Sequence, residues 1–386
     1  MTTTQIKKAA GTKAATRRKF LRGAAAATAG AAALAMPTVS RGQAGPISMR
    51  FQSTWPSKDI FHEYALDFGK RVNDMTGGDL KIEVLPAGAV VPAFGLLDAV
   101  SKGTLDGGHG VLVYHYGKNT ALALWGSGPG YGMDANMLLA WHKYGGGKAL
   151  LEKIFAAIGA DVVSFPYAPL YSQPLGWFKK PMQTVDDFKG LKYRTVGISI
   201  DLFTAMGAAV NALPGGEIVA AIDRGLLDAA EFNNASSDRA LGFADVSKIC
   251  MLQSFHQNAE QLEISFNKTK FNALPAKLKA IIEGAVEACS QDMQWKAIDR
   301  NSQDYITLQQ QDKVKFYKTP DPILKRQLEL YDQITKKYID SNPLFKEIIQ
   351  SQLAFAKRAT QWEQDYITNR RMAFDHYFGP NAKSPI

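Results

Sequence analysis

Three side chains of complementary chemistry, Gln173, Arg194 and Glu231, sit at the ends of short apolar runs. Arg194 closes the strand-like run Leu191-Lys192-Tyr193-Arg194 and is followed by Thr195-Val196-Gly197 and an amphipathic stretch. A guanidinium so placed stands at a strand terminus, where open α/β sheets present ligand-binding groups. It is planar, permanently charged and two-pronged, which matches a carboxylate. Gln173 adjoins a run ending in Gly176-Trp177-Phe178, and Glu231 follows Leu226-Leu227-Asp228-Ala229-Ala230. An Arg, an amide and a carboxylate converging on one crevice make a site for a small organic anion, with Glu231 free to hold a cation. The expected geometry has the fork at 194 facing an oxygen cage near 231 across a closable gap. The same two charges read equally well as a structural ion pair, because such pairs share the signature of functional ones.

The elements that must position these groups follow a repeating grammar. Ile47, Met49 and Phe51 alternate with polar residues as a strand; Ile60, Tyr64, Phe68, Val72 and Met75 form a helical stripe ending at Gly77-Gly78; Leu80, Ile82 and Val84 form a second strand. A helix over 96–102 and a third strand over 105–113 complete βαβαβ, the sign of a mainly parallel α/β lobe. The grammar returns after Gln173: Ala99-Val100-Ser101-Lys102-Gly103-Thr104-Leu105-Asp106 resembles Ala221-Ile222-Asp223-Arg224-Gly225-Leu226-Leu227-Asp228. In that alignment His109 falls opposite Glu231, so both are expected to face the crevice. Runs at 160–165 and 261–267 read as strands joining two lobes, and the Gly-rich passage Trp125 to Gly132 as a crossing segment lining the crevice. From Pro275 onward the chain is mostly helical, with a break at Phe316-Tyr317 and another at Pro343. The expected division is a leader at 1–43, one lobe from 44–167 with about 260–305, a second from 168–259 with about 306–345, and a C-terminal helical arm over 346–386 that braces the lobes or pairs with a second copy.

The chain has 386 residues, 46% hydrophobic and 21% charged, with a formal net charge of +9. That surplus does not mark a nucleic-acid partner. Residues 1–43 carry eight of the 45 Lys and Arg and no acidic residue, leaving 37 basic against 36 acidic in the body, and hence no basic face to track phosphates. The leader contains Thr16-Arg17-Arg18-Lys19-Phe20-Leu21-Arg22 and an Ala-rich run to Met36, the pattern of a twin-arginine signal peptide, shorter and less apolar than a membrane span. Export to a periplasm is expected. Cys250 and Cys289 are the only cysteines, and their spacing does not say whether they pair.

Catalytic signatures are missing: no GxSxG, HExxH or strand-linked GxGxxG occurs, and the passage at 125–132 lacks the GxxxxGK of a phosphate loop. Of six histidines, His109 and His115 lie six residues apart with no third ligand at metal spacing, so a zinc site is not expected. A hydrolase or lyase using Glu231 as base and His109 as acid remains a rival reading, as does a sensory ligand-binding protein.

The leader, Gln173-x-x-Gly176-Trp177-Phe178, Gly190-Leu191-Lys192-Tyr193-Arg194, Leu213-Pro214-Gly215-Gly216-Glu217, Asp228-Ala229-Ala230-Glu231-Phe232 and Glu263-Ile264-Ser265-Phe266-Asn267-Lys268 together resemble the extracytoplasmic solute-binding subunits of TRAP transporters, of the DctP type. The resemblance covers essentially the whole mature chain. It is greatest to the branch that binds 2-oxo acids and other small monocarboxylates, often with a bridging metal ion. It implies a two-lobed periplasmic solute-binding fold with hinge-crossing strands, no enzymatic activity, and membrane permease subunits as partners. By the same resemblance Arg194 would pair with the ligand carboxylate, while Gln173, Glu231 and the carbonyl of Phe232 would coordinate sodium or calcium, hard cations that take oxygen ligands. Asn233, Gln257, Tyr116 and Trp55 would be further ligand contacts. The branch usually has Trp where this chain has Phe232 and Gly-Pro where it has Asn233-Asn234; the backbone carbonyl survives that change, but the pocket shape does not.

Overall fold

The computed structural model describes residues 45–380; the twin-arginine stretch lies outside them. Two mixed sheets carry the fold. In the first, β1 (Ile47–Ser53) lies between β2 (Leu80–Leu85) and β3 (Gly107–Gly110), parallel to both, as the two-residue alternation and intervening helices require. The helix Ile60–Met75 buries the stripe Tyr64, Phe68 and Val72, is capped by the Asp59 carboxylate and packs against this sheet. The third strand is shorter than its sequence suggests. Gly107 and Gly108 have no room for a side chain beside Phe51 and Leu96, and the chain then winds into a 3-10 turn over Leu112–His115.

The second sheet has the order β11-β9-β5-β8-β6-β7, built from β5 (Gly176–Phe178), β6 (Lys192–Arg194), β7 (Ala209–Asn211), β8 (Ala229–Ala230), β9 (Ile249–Leu252) and β11 (Lys315–Lys318). The break expected at Phe316-Tyr317 is this last edge strand, parallel to β9. Within the sheet β6 runs parallel to β7 and β8, so the repeated helix-Gly-strand grammar yields parallel pairing in both halves.

Two long strands link the halves. β4 (Val162–Leu170) and β10 (Glu260–Asn267) pair antiparallel from Val162 with Asn267 to Leu170 with Glu260, on the edge of the first sheet. Their Leu170 and Glu260 ends lead directly into the segments that hold the second sheet. The 35-residue helix Ala276–Gln310 packs on β4, on helix Ile60–Met75 and on helix Ala235–Leu241, and so touches both halves without a break at residue 305. The helices Asp321–Ser341 and Pro343–Tyr366 close the far side through Tyr331, Phe345, Ile348 and Ile349, which share an apolar cluster with Trp125 and Trp141. Beyond them Trp362, Tyr366, Met372, Phe374 and Phe378 are exposed.

The Gly-rich passage does not line the crevice. Gly128 pairs with Gln257, and its nitrogen donates to the His256 carbonyl at 2.5 Å, so it braces the 256–258 segment from behind. A Cβ on Gly128, whose φ is +96°, would fall 2.2 Å from the Tyr331 ring. Cys250 and Cys289 are both free and buried.

Candidate functional site

Parallel pairing brings the carboxyl ends of β6 and β8 side by side. Arg194 is in register with Ala230, so Glu231 follows one residue beyond the guanidinium's own strand position. Its Nη1 donates to Glu231 Oε1 at 2.7 Å, and both side chains are 1% exposed. Nε donates to the Leu213 carbonyl at 2.8 Å. The turn carrying that carbonyl depends on Gly215, where a Cβ would lie 2.3 Å from the Phe232 ring. Phe232 in turn sits with its centroid 5.8 Å from the guanidinium carbon. Nη2 is the least engaged edge, with only the Tyr114 hydroxyl at 3.5 Å. Burial acts most strongly against the Arg194 charge, but the Glu231 carboxylate together with the nearby Tyr114 and Tyr193 hydroxyls outweighs it and the pKa is raised.

The arrangement corrects one expectation. Arg194 and Glu231 do not oppose each other across a gap between halves; both belong to the second sheet and touch. The groups facing them from the first half include Trp55, Val111 and Tyr114, which line the same narrow cavity, whose free space is only about 10 Å³.

Gln173 and Gln257 reach that cavity from the segments between the sheets. The backbone of Gln173 donates to the Gln257 carbonyl at 3.2 Å. Their side-chain nitrogens both donate to Glu260, Gln173 Nε2 to Oε2 at 2.6 Å and Gln257 Nε2 to Oε1 at 3.1 Å. Gln173 Oε1, Gln257 Oε1 and Glu231 Oε2 are thereby left buried without a hydrogen-bond partner among the described residues. Buried acceptors are seldom left so. Three of them on one cavity, next to a carboxylate, form a donor set for a hard, oxygen-seeking cation. No cluster of three or more His, Cys, Asp or Glu capable of holding a metal occurs among the described residues, so an ion here would depend on amide and backbone oxygens as well.

Of the residues singled out from sequence, Trp55, Gln173, Arg194, Glu231, Phe232, Asn233 and Gln257 share this cavity. Tyr116 does not: its hydroxyl bonds Asp201 and, at 2.6 Å, the Tyr338 hydroxyl. Tyr114 lines the cavity instead. The cause is the 3-10 turn, which advances about 120° per residue and so separates positions that an extended strand would align. His109 is also excluded as an acid for Glu231. Its Nδ1 accepts from Trp55 Nε1 at 3.2 Å, its Nε2 meets the Tyr167 hydroxyl at 2.6 Å, and burial lowers its pKa to about 3. It orients Trp55 rather than facing the crevice.

Glu260, Tyr114 and His256 were not anticipated. Glu260 is pushed up to about 8, by burial first and then by the nearby Glu231 charge. His256 is fully buried, with Nε2 at 4.0 Å from Glu231 Oε2. The only sequence sign of Glu260 was its position opening the strand that leaves His256-Gln257-Asn258-Ala259.

The family described as bacterial extracellular solute-binding protein, family 7 (DctP), matches residues 51–342. A monocarboxylate 2-oxoacid-binding periplasmic protein of Nostoc is 32% identical over 354 residues, spanning 90% of this chain and 96% of that relative. A TRAP transporter solute-binding protein from Bordetella bronchiseptica, a mixed-occupancy dimer with calcium and picolinate in one active site, has a TM-score of 0.80 at 27% identity, covering 86% of this chain and 97% of that one. One from Pseudoalteromonas atlantica with sodium and pyruvate scores 0.79 at 26% identity, covering 86% and 99%. One from Colwellia psychrerythraea with calcium and pyruvate gives 0.79, 26%, 86% and 99%.

Proposed function

The chain belongs to the bacterial extracellular solute-binding proteins of family 7, and on that premise we propose that it is the periplasmic receptor of a TRAP transporter, capturing a small 2-oxo or 2-hydroxy monocarboxylate together with sodium or calcium. Proteins of this family serve transporters rather than catalyse reactions, and the receptor would deliver its guest to membrane permease subunits. The twin-arginine leader at Thr16–Arg22 supports the periplasmic assignment, and no helix among the described residues is long and apolar enough to cross a membrane.

The observation that carries the reading is the buried Arg194–Glu231 pair with the orphaned oxygens beside it. The pair is already neutral. An entering carboxylate adds a negative charge to a site that water does not reach, which is costly unless a positive charge enters with it. Gln173 Oε1, Glu231 Oε2 and the Phe232 carbonyl would hold that cation, and Arg194 would offer the Nη2 edge to the carboxylate. When bound, the cation supplies a positive centre for the guest's carboxylate and keto oxygens. Trp55, Asn233 and Gln257 would wall the guest, with Trp55 and Tyr114 contributed by the opposite half. The closed form prevails because only there do both halves touch the ligand.

A second copy of the chain is the further partner this reading includes, supported by the exposed Trp362, Tyr366, Phe374 and Phe378 on the C-terminal arm.

Thermal shift and calorimetry with pyruvate, larger 2-oxo acids and 2-hydroxy acids test the proposal. A ligand at one hundred times its Kd should stabilise the protein by about 2.7 kcal/mol. The stabilisation should require sodium or calcium and disappear in sodium-free buffer with chelator. Turnover of any of these acids, or no shift with every acid in either cation, would overturn it.

A further inference from the structure

Glu260 is a buried carboxylate without a cationic partner of its own among the described residues, since Arg194 is bound to Glu231. Each of its oxygens instead accepts one amide: Oε2 from Gln173 Nε2 at 2.6 Å, Oε1 from Gln257 Nε2 at 3.1 Å. A carboxamide has two ends of nearly the same shape, one a donor and one an acceptor, and only its partners decide which way it faces. Glu260 accepts at both positions and so decides for both residues. With the two nitrogens held, Gln173 Oε1 and Gln257 Oε1 are turned away from Glu260 and left without partners, as is Glu231 Oε2.

We propose that Glu260 is a positioning residue for the cation, holding Gln173 and Gln257 in the one orientation that leaves both amide oxygens free for it, and that Gln257 is thereby a cation ligand alongside Gln173 and Glu231. The inference rests on the cation-and-carboxylate reading of the cavity given above. It explains why two neutral amides suffice where clustered acidic residues are missing: a fixed amide oxygen is a good ligand for a hard cation, whereas an amide free to turn presents a donor half of the time.

The chemistry dictates the test. In Glu260→Gln the side chain can accept from one amide only, so the other must turn and point its NH2 into the cavity. In Glu260→Asp the charge is kept, but the shorter side chain cannot span both nitrogens. The paired change Gln173→Glu with Glu260→Gln reverses the polarity of one hydrogen bond. The carboxylate placed at 173 accepts from the amide placed at 260, whose oxygen still accepts from Gln257, and the total charge is unchanged.

Calcium chloride is titrated calorimetrically into chelator-stripped protein, alone and with saturating pyruvate, and unfolding is followed in chelator. Glu260→Gln and Glu260→Asp should each weaken calcium binding by about tenfold or more, the scale on which partners of metal ligands act. The paired change should recover most of that affinity, and the unfolding midpoints in chelator should move far less than the affinities. Unchanged binding in Glu260→Gln, wild-type binding in Glu260→Asp, or no recovery in the paired variant would each overturn the positioning role while leaving the receptor reading intact. A wild-type protein that binds neither calcium nor sodium would overturn both.

Discussion

Replacing Arg194 by Met separates what the guanidinium does for the fold from what it does for a ligand. The side chain is fully buried, 2.7 Å from Glu231 Oε1 and 2.8 Å from the Leu213 carbonyl. Arg194→Met keeps much of the volume but leaves Glu231 as a buried charge with no counter-ion. Breaking a buried pair from one side costs about 3–5 kcal/mol. For a folded body of this size, with each kcal/mol worth about 2 °C or less, the midpoint should fall by roughly 5–10 °C. Adding Glu231→Gln removes the stranded charge and should return most of the lost stability, because a pair replaced on both sides is often nearly neutral. Ligand binding should not follow stability. Pyruvate loses its only buried guanidinium in Arg194→Met, and about 2–5 kcal/mol of lost pairing corresponds to an affinity roughly 30-fold to several thousand-fold weaker. The assay is calorimetric titration of pyruvate at saturating calcium, well below the variant's midpoint. A folded Arg194→Met protein that binds pyruvate within about threefold of wild type would refute the assignment of the carboxylate to this residue.

Stability should fall as pH rises from 6.5 to 8.5. Burial raises Asp238 and Glu263 to about 7 and Glu260 to about 8, so the folded chain holds protons that the unfolded chain has already released, and their stabilising effect is lost as pH climbs through those values. Buried His109, His115 and His142 act in the opposite direction, but their folded values lie at about 3, 4 and 4, so their influence fades as pH rises past about 6.5 and the unfolded histidines lose their remaining protons. Each carboxyl should contribute about 1 kcal/mol across the window, Asp238→Asn should flatten the profile by its share, and a midpoint that rises or stays level would contradict the assignment. Truncation after Gln361 removes Trp362, Tyr366, Phe374 and Phe378, all exposed. Light scattering after gel filtration should show a dimer for the mature chain and a monomer for the truncated one, with pyruvate affinity unchanged; a monomeric mature chain would refute the arm's role in pairing.

The readable parts of the sequence were those whose pattern is local. Alternation at Ile47, Met49 and Phe51 and the stripe Tyr64, Phe68, Val72 were enough for the first βαβ unit, because a strand buried on one face and a helix packed against it each impose their own period. Arg194 and Glu231 were legible for the same reason: both stand at the carboxyl ends of strands in a repeated helix-Gly-strand unit. That they touch was not legible as geometry, since it depends on a β6–β8 ladder of two residue pairs, Tyr193 with Ala229 and Arg194 with Ala230. Tyr116, expected from the resemblance, gives way to Tyr114 in the cavity because the chain leaves β3 after the tightly packed glycines at 107 and 108 and winds into the 3-10 turn. Glu260 was invisible for a different reason. A carboxylate opening a strand means nothing until Gln173, 87 residues away, is known to donate to it.

The placement of both charges on one sheet changes how closure must work. A gap that brought a lone Arg to a lone Glu would gain most of its electrostatic energy on closing, with or without a guest, and an empty receptor would shut on itself. Here the pair is satisfied within the second half at 2.7 Å, and the carboxyl that the first half brings to the cavity, Glu260 of β10, is held by Gln173 and Gln257. That half also brings Trp55 and Tyr114, whose rings stand 5.6 Å apart, with Trp55 6.3 Å from Phe232. These aromatic walls expel water and so strengthen every ionic contact behind them. Such strengthening penalises an uncompensated buried charge, so a guest acid is enclosed more readily when a cation enters with it. A guest acid without its cation would meet the walls as a buried excess charge. The aromatic half is therefore the element that makes cation and acid bind together.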